Sequence, residues 1–219
     1  MTAVTRPEQT AGAIMSSADA AEVAEAPDTA DVIVLAGGTG ARLDGASKPD
    51  VVARGARLLD HVLAGLERLR EQGLALGRVC VIAPLEVALP GGVLRALEDP
   101  PLGGPVAGIA AGLELLGRRD PVAGLAGILT CDAPFSWRAL PSLHRALAEA
   151  GPELDGVCAR DDEHTQYLLG LYRRRALAAA VAPDGAPLRD TAVRRALGAL
   201  HVTAITTTRD IVRDLDTWA

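Results

Sequence analysis

Asp31-Val32-Ile33-Val34-Leu35-Ala36-Gly37-Gly38-Thr39-Gly40-Ala41-Arg42 runs from an unbroken apolar segment straight into glycine, and Lys48-Pro49 follows. A short continuous β-branched run stopped by Gly fits a strand buried on both faces, as in a parallel sheet. Three glycines in four residues let backbone approach a ligand and let successive N–H groups share one concavity. Arg42 adds a planar fork and Lys48 a compact point charge. Gly37, Gly38, Gly40, Arg42 and Lys48 therefore read as a phosphate-binding loop, with a plain strand-to-loop turn as the other reading. The pattern is not a Walker A loop, because GxxxxGK[ST] is missing. It is not a good dinucleotide fingerprint either, because Leu43 stands where a third Gly or Ala is needed.

Moving outward, Leu58, Leu59, Val62, Leu63, Leu66 and Leu69 recur at helical spacing. Val79–Ile82 reads as a second buried strand stopped by Pro84, and Val93–Leu97 as a short third. Pro105 suits the first turn of a helix, whose apolar stripe is Val106, Ile109, Leu113 and Leu116. Leu125–Leu129 is a strand ending at Thr130-Cys131-Asp132, and a helix follows from about Ser136 to Ala150, interrupted by Pro141. Gly156–Ala159, Tyr167–Tyr172 and Val202–Thr206 read as strands, with helices near 174–181 and 189–199. Strands alternating with helices point to a Rossmann-like, doubly wound α/β fold with a mostly parallel sheet and helices on both faces. In such sheets ligands lie beyond the carboxyl ends of the strands, where Gly37 and Asp132 would share one site.

The chain has 219 residues, 49 % apolar and 23 % charged, with a net charge of −6. That suits one globular domain. Residues 1–30 hold five acids against one base and no helical stripe, so they read as a disordered acidic tail, with a single domain over 31–219. The negative balance argues against a nucleic-acid binder. No apolar run approaches the ~20 residues of a membrane span, and the N-terminus lacks the pattern of a signal peptide. Cys80, Cys131 and Cys158 are widely spaced without a CxxC, which fits reduced thiols in the cytoplasm. Lys48 is the only lysine among 22 basic residues, which suggests a place where an ammonium is preferred to a guanidinium.

Three further segments bear on chemistry. Asp132, in Cys131-Asp132-Ala133-Pro134, offers a carboxylate at a strand end to a divalent cation on phosphate oxygens, or else caps the next helix. Asp99 precedes a loop of glycines and prolines entering a helix, and read alone is a turn residue. Asp214 and Asp216 would face one side of an extended segment, either beside a metal or as a solvated acidic loop. His61, His144, His164 and His201 form no metal-ligand spacing, and no GxSxG or HExxH is present. The chemistry should work without a histidine base.

Taken in order, Leu35-Ala36-Gly37-Gly38-x-Gly40-x-Arg42, Lys48, Asp99 before Gly104-Pro105-x-Ala107-Gly108, and Cys131-Asp132-x-Pro134 resemble the molybdenum cofactor guanylyltransferases. The resemblance implies a fold of the nucleotide-diphospho-sugar transferase type. It implies transfer of GMP from GTP to the terminal phosphate of molybdenum-molybdopterin, with release of pyrophosphate and Mg²⁺ as cofactor. By position, Leu35, Ala36 and Gly37 would contact the guanine nucleotide together with Gly38 and Gly40. Lys48 would bind phosphate, Asp99 would read guanine and Asp132 would hold Mg²⁺, with Asp216 a further candidate ligand. Gln166 sits where the family often has Gln-Pro near the pterin. Transient contact with proteins that deliver or receive molybdopterin is also implied. Departures are Asp44 in place of a glycine, Ser47 before the lysine, and two late acids in place of two Asn. The rival readings are a cytidylyl- or sugar-phosphate nucleotidylyltransferase, or a nucleotide-binding module with a decayed site. Cytidylyl relatives more often read LAAG, so Gly37 leans towards guanine.

Overall fold

The computed structural model describes residues 25–37, 48–119, 121–161 and 164–212. Among the described residues, β1 (Glu25–Leu35) is followed by a 3-10 turn at Lys48–Asp50, the hairpin β2 (Val52–Ala53) and β3 (Ala56–Arg57), and then α1 (Leu58–Glu71). β4 (Leu76–Ile82), β5 (Leu94–Ala96), α2 (Gly104–Gly117) and β6 (Val122–Thr130) follow. A 3-10 turn at Ser136–Ala139 opens α3 (Leu140–Glu149). The remainder is β7 (Gly156–Arg160), β8 (Thr165–Arg173), α4 (Arg174–Val181), α5 (Val193–Leu197), β9 (Val202–Thr206) and α6 (Arg209–Val212).

Among the described residues the main sheet has seven strands in the order β5-β4-β1-β6-β8-β7-β9. β5, β4, β1 and β6 are mutually parallel, β8 is antiparallel to both β6 and β7, and β9 is parallel to β7. β1 is buried on both faces, as its unbroken apolar run requires. Val32 and Val34 pack with Leu59, Val62 and Leu66 of α1 and Leu140 and Leu143 of α3. Ile33, from the opposite face of the strand, packs with Val106, Ile109 and Leu113 of α2 and Leu177 of α4. This is the doubly wound, mostly parallel architecture.

The structure refines three boundaries. β1 starts at Glu25, inside the stretch read as tail, because Glu25 and Ala26 pair with Val122 and Ala123 across a register shift. The last predicted helix is only Val193–Leu197. Residues ahead of it form a turn instead: Asp190 has φ 49° and its N–H donates to Gly103 O at 2.8 Å. The break at Pro141 is a change of helix type, with Pro141 in the first turn of α3, where a missing N–H costs nothing. The β2–β3 hairpin is new. Its two central residues, Arg54 and Gly55, both have positive φ, at 50° and 85°, as a two-residue turn matching strand twist demands.

Candidate active site

The carboxyl ends of β1 and β6 lie side by side. Ala36 N–H donates to Ile82 O at 3.0 Å and Cys131 N–H donates to Leu35 O at 3.0 Å, so the ladder continues past both strand ends. Leu35, Ala36 and Gly37 are thereby carried next to Cys131-Asp132. Ala36 is buried, while Gly37 is exposed at the start of the glycine segment. Gly38, Gly40 and Arg42 lie outside the described residues, as does Asp216 with Asp214.

Lys48 reaches the same place from another element. Its Nζ donates to Asp132 Oδ2 at 3.3 Å, and both side chains are about a quarter exposed, at 23 % and 24 %. An ammonium and a carboxylate facing solvent at the end of a parallel sheet form a small polar pair open to a ligand. Lys48 is held there by its neighbours. Pro49 is buried, Val51 N–H donates to Lys48 O at 3.2 Å, and Leu58 N–H donates to Val51 O at 2.9 Å. Arg57 ties the turn to α1: Nη1 donates to Asp50 at 2.9 Å, while Nη2 and Nε donate to Asp60 at 2.7 and 2.9 Å. These bonds, Asp60's first, raise the Arg57 guanidinium further above its ordinary range. His61 Nε2 lies 2.7 Å from Ala53 O, so this histidine serves the hairpin, as its place beside an apolar stripe suggests.

Asp99 is exposed in the loop between β5 and α2. The acid bonded to the helix entry is its neighbour, Glu98, whose Oε1 accepts Gly103 N–H at 3.2 Å. Sequence reasoning passed over Glu98 because adjacent acids in a loop look alike. The Gly108 of the Gly-Pro-x-Ala-Gly segment has a packing duty: a Cβ there would come within 3.0 Å of Ile82 Cγ2. Absence of that Cβ lets α2 lie close on the sheet, and Leu35 Cδ2 borders the same spot at 3.5 Å.

On the other side of Asp132 lies a cleft of about 140 Å³ that Gln166 and Ser136 help to line. The β6–β8 ladder ends at the Ile128–Gly170 pair, and the cleft opens beyond it. Ser136 was missed by sequence reasoning, since a Ser opening a helix reads as a cap. Here it is buried at 1 %, and its Oγ has no hydrogen-bond partner among the described residues. A larger groove of about 530 Å³ runs along α1, and none of the candidate site residues lines it.

The cysteines take no part. All three are free and buried. Burial, then the Asp132 charge, pushes the Cys131 thiol up to about 12. Cys80 reaches about 12 and Cys158 about 11, chiefly through burial. A thiol in that range is protonated and inert at neutral pH. Among the described residues no three His, Cys, Asp or Glu side chains converge as a metal-ligand group, and no helix is long and apolar enough to cross a membrane.

Residues 32–208 match the MobA-like NTP transferase domain family. The chain is 32 % identical over 140 residues to a molybdenum cofactor guanylyltransferase of Bradyrhizobium sp. (strain ORS 278), a match spanning 64 % of each protein. Among solved structures, the molybdopterin-guanine dinucleotide biosynthesis protein A of Archaeoglobus fulgidus superposes with a TM-score of 0.56 at 21 % identity, covering 80 % of this chain and 83 % of that one. A 4-diphosphocytidyl-2C-methyl-D-erythritol synthase from Anaerococcus prevotii gives 0.62 at 12 % identity, over 86 % and 91 %. These structural likenesses show a shared fold.

Proposed function

The chain belongs to the MobA-like NTP transferase family, and we propose that it transfers GMP from GTP to the terminal phosphate of molybdenum-molybdopterin, releasing pyrophosphate. The observation that carries this reading is the Lys48–Asp132 pair at 3.3 Å beside the end of β1. It brings an ammonium suited to phosphate and a carboxylate suited to a divalent cation together at the edge of the sheet where ligands of such folds bind, which supports the reading.

In the reaction an oxygen of the acceptor phosphate attacks the α-phosphorus of GTP. The bond to the β-phosphate breaks and pyrophosphate leaves. The nucleophile is already anionic near pH 7, since the second pKa of a phosphate monoester is about 6. No side chain has to remove a proton, which agrees with a site whose described members are Lys48, Asp132 and backbone. The barrier is the approach of two anions, and fixed positive charge lowers it. Lys48 supplies that charge, moving from Asp132 to the phosphates of the nucleotide. Arg42 and the amides of Gly37, Gly38 and Gly40 add donors along the same loop.

Asp132 suits Mg²⁺, which keeps most of its waters and takes one or two carboxylates plus substrate phosphates in place of an all-protein cage. When bound, the ion neutralises charge on the phosphate oxygens. Asp99, exposed beside the helix entry, offers a carboxylate to the N–H edge of guanine.

Calorimetric titration of GTP, CTP, ATP and UTP with Mg²⁺, on wild type and Lys48→Ala, tests the reading. Selective binding of GTP, weakened in the variant, is expected. Preference for CTP or UTP would reassign the protein to a sister activity on the same fold. Absence of binding to all four would mark a decayed site.

A further inference from the structure

Gly103 is buried between the exposed Leu102 and the first turn of α2, and its backbone is held from two directions. Its N–H donates to Glu98 Oε1 at 3.2 Å, and its carbonyl accepts Asp190 N–H at 2.8 Å. Arg189 covers a further side. A Cβ on Gly103 would come within 2.7 Å of Arg189 Cζ and Nη1 and 2.9 Å of Ala107 Cβ, so glycine here makes room for the guanidinium. Arg189 Nη2 also reaches Pro101 O, 88 positions away in the chain, at a long 3.5 Å. The loop that carries Asp99 is thus pressed against a segment from the far end of the sequence.

That segment is a firm support. α4 follows β8, which is antiparallel to β6, so the helix runs back towards the carboxyl ends of the parallel strands and delivers residues 182–190 there. Leu188 N–H donates to Val181 O at 2.8 Å, and Leu188 joins the apolar layer that includes Val106 and Ile109 of α2. Thr191 Oγ1 donates to Arg189 O at 2.9 Å. The Asp99 loop needs such support. Leu102 has φ 66°, and its side chain is 68 % exposed. A left-handed leucine is costly and persists only where its surroundings over-determine it. Its own side chain buries too little to do so, and the constraint comes from the bonds to Gly103.

We propose that Arg189, with the backbone of Asp190, positions the Asp99–Gly103 loop for base recognition, so that selectivity for guanine is set partly from the C-terminal third of the chain. This rests on the guanylyl-transfer reading, in which Asp99 meets the N–H edge of guanine. Arg189 acts through the loop and is a positioning residue. A carboxylate bonds two N–H groups well only when its distance and direction are fixed. Loosening the loop therefore costs recognition of the base before it costs binding of the triphosphate, which Lys48 serves.

The test is calorimetric titration of GTP, CTP and inosine triphosphate (guanine's analogue without the 2-amino group) with Mg²⁺, on wild type, Arg189→Ala and Gly103→Ala. The second variant puts a methyl group where the guanidinium lies. In Arg189→Ala the GTP Kd should rise about tenfold and that of inosine triphosphate less than about threefold, as when a hydrogen bond to a charged group is lost. Gly103→Ala should lower the same preference. A merely structural role would weaken both nucleotides alike. An unchanged preference for GTP over inosine triphosphate in Arg189→Ala, whether both affinities fall or neither does, overturns this proposal and leaves guanylyl transfer standing. A wild type that binds CTP as well as GTP overturns both.

Discussion

Lys48 and Asp132 are 84 positions apart in the chain and 3.3 Å apart in space. Each was legible alone, one as the single lysine and the other as an acid at a strand end; their meeting needed the parallel pairing of β1 with β6. Replacing either with Ala should lower turnover by at least about a hundredfold, Lys48 as one electrostatic donor and Asp132 as the holder of a cation of similar worth. Pyrophosphate release by the purified, folded variants measures it, and near-normal rates would remove the pair from the chemistry. Asp99→Asn should exchange specificity. An amide replaces one of the carboxylate's two acceptor oxygens with a donor, so GTP should weaken while xanthosine triphosphate gains, read by the same titration. The cysteines give a prediction in pH. Their thiol pKa values are raised in the folded chain to about 11–12 from 9.0. The unfolded chain therefore loses these protons first as pH rises, so the contribution is intact below about 9 and lost towards 12. Urea midpoints should fall over that window, and by less in Cys80→Ala measured against its own value at pH 8. Ser136 was not legible, because an orphaned hydroxyl arises only when distant elements pack; Glu98 was not, because its bond to Gly103 depends on how one loop of prolines and glycines folds back on itself.

At the level of elements, the helical stripes and the buried strands were legible because each has one strong period. The β2–β3 hairpin was not, since two-residue strands carry no period at all. The direction of β8 had a signal that composition does not carry: only a few residues separate β7 from β8. Parallel strands need a crossover of a dozen or more residues, so this link forces an antiparallel pair. Packing between elements relies on missing side chains. A Cβ on Gly65 of α1 would land within the indole of Trp137, which lies against that helix. Arg68 and Arg138 then cover the indole, their guanidinium carbons 5.6 and 5.4 Å from its centroid. Gly65→Ala should destabilise by about 1–3 kcal/mol through overpacking, more than the gain of up to ~1 kcal/mol from better helix propensity. A urea midpoint equal to wild type would mean that the indole moves aside freely.

Across the whole molecule, Asp31 joins the two faces. It is fully buried on β1, and its Oδ1 accepts the backbone N–H of Arg78 on β4 at 2.7 Å. The guanidiniums of Arg78 and of Arg174, at the start of α4, approach it at 3.6 and 3.5 Å. Asp31→Asn should cost about 3 kcal/mol, the lower end for breaking a buried ion pair, because both guanidinium contacts are long. Equilibrium unfolding in urea measures it; a loss below ~1 kcal/mol would show that the backbone bond alone matters. Asp31 was read from sequence only as the residue ahead of the apolar run, since its partners come from elements 47 and 143 positions away. The place of β1 in the sheet also has a consequence for synthesis. It leaves the ribosome before either neighbour, β4 or β6, yet it ends between them with both faces covered. Until those strands are translated, Val32-Ile33-Val34-Leu35 is an apolar strand with two open edges, the kind of nascent segment that invites aggregation. Molecular chaperones that hold short apolar stretches of a growing chain should find their main client sequence here.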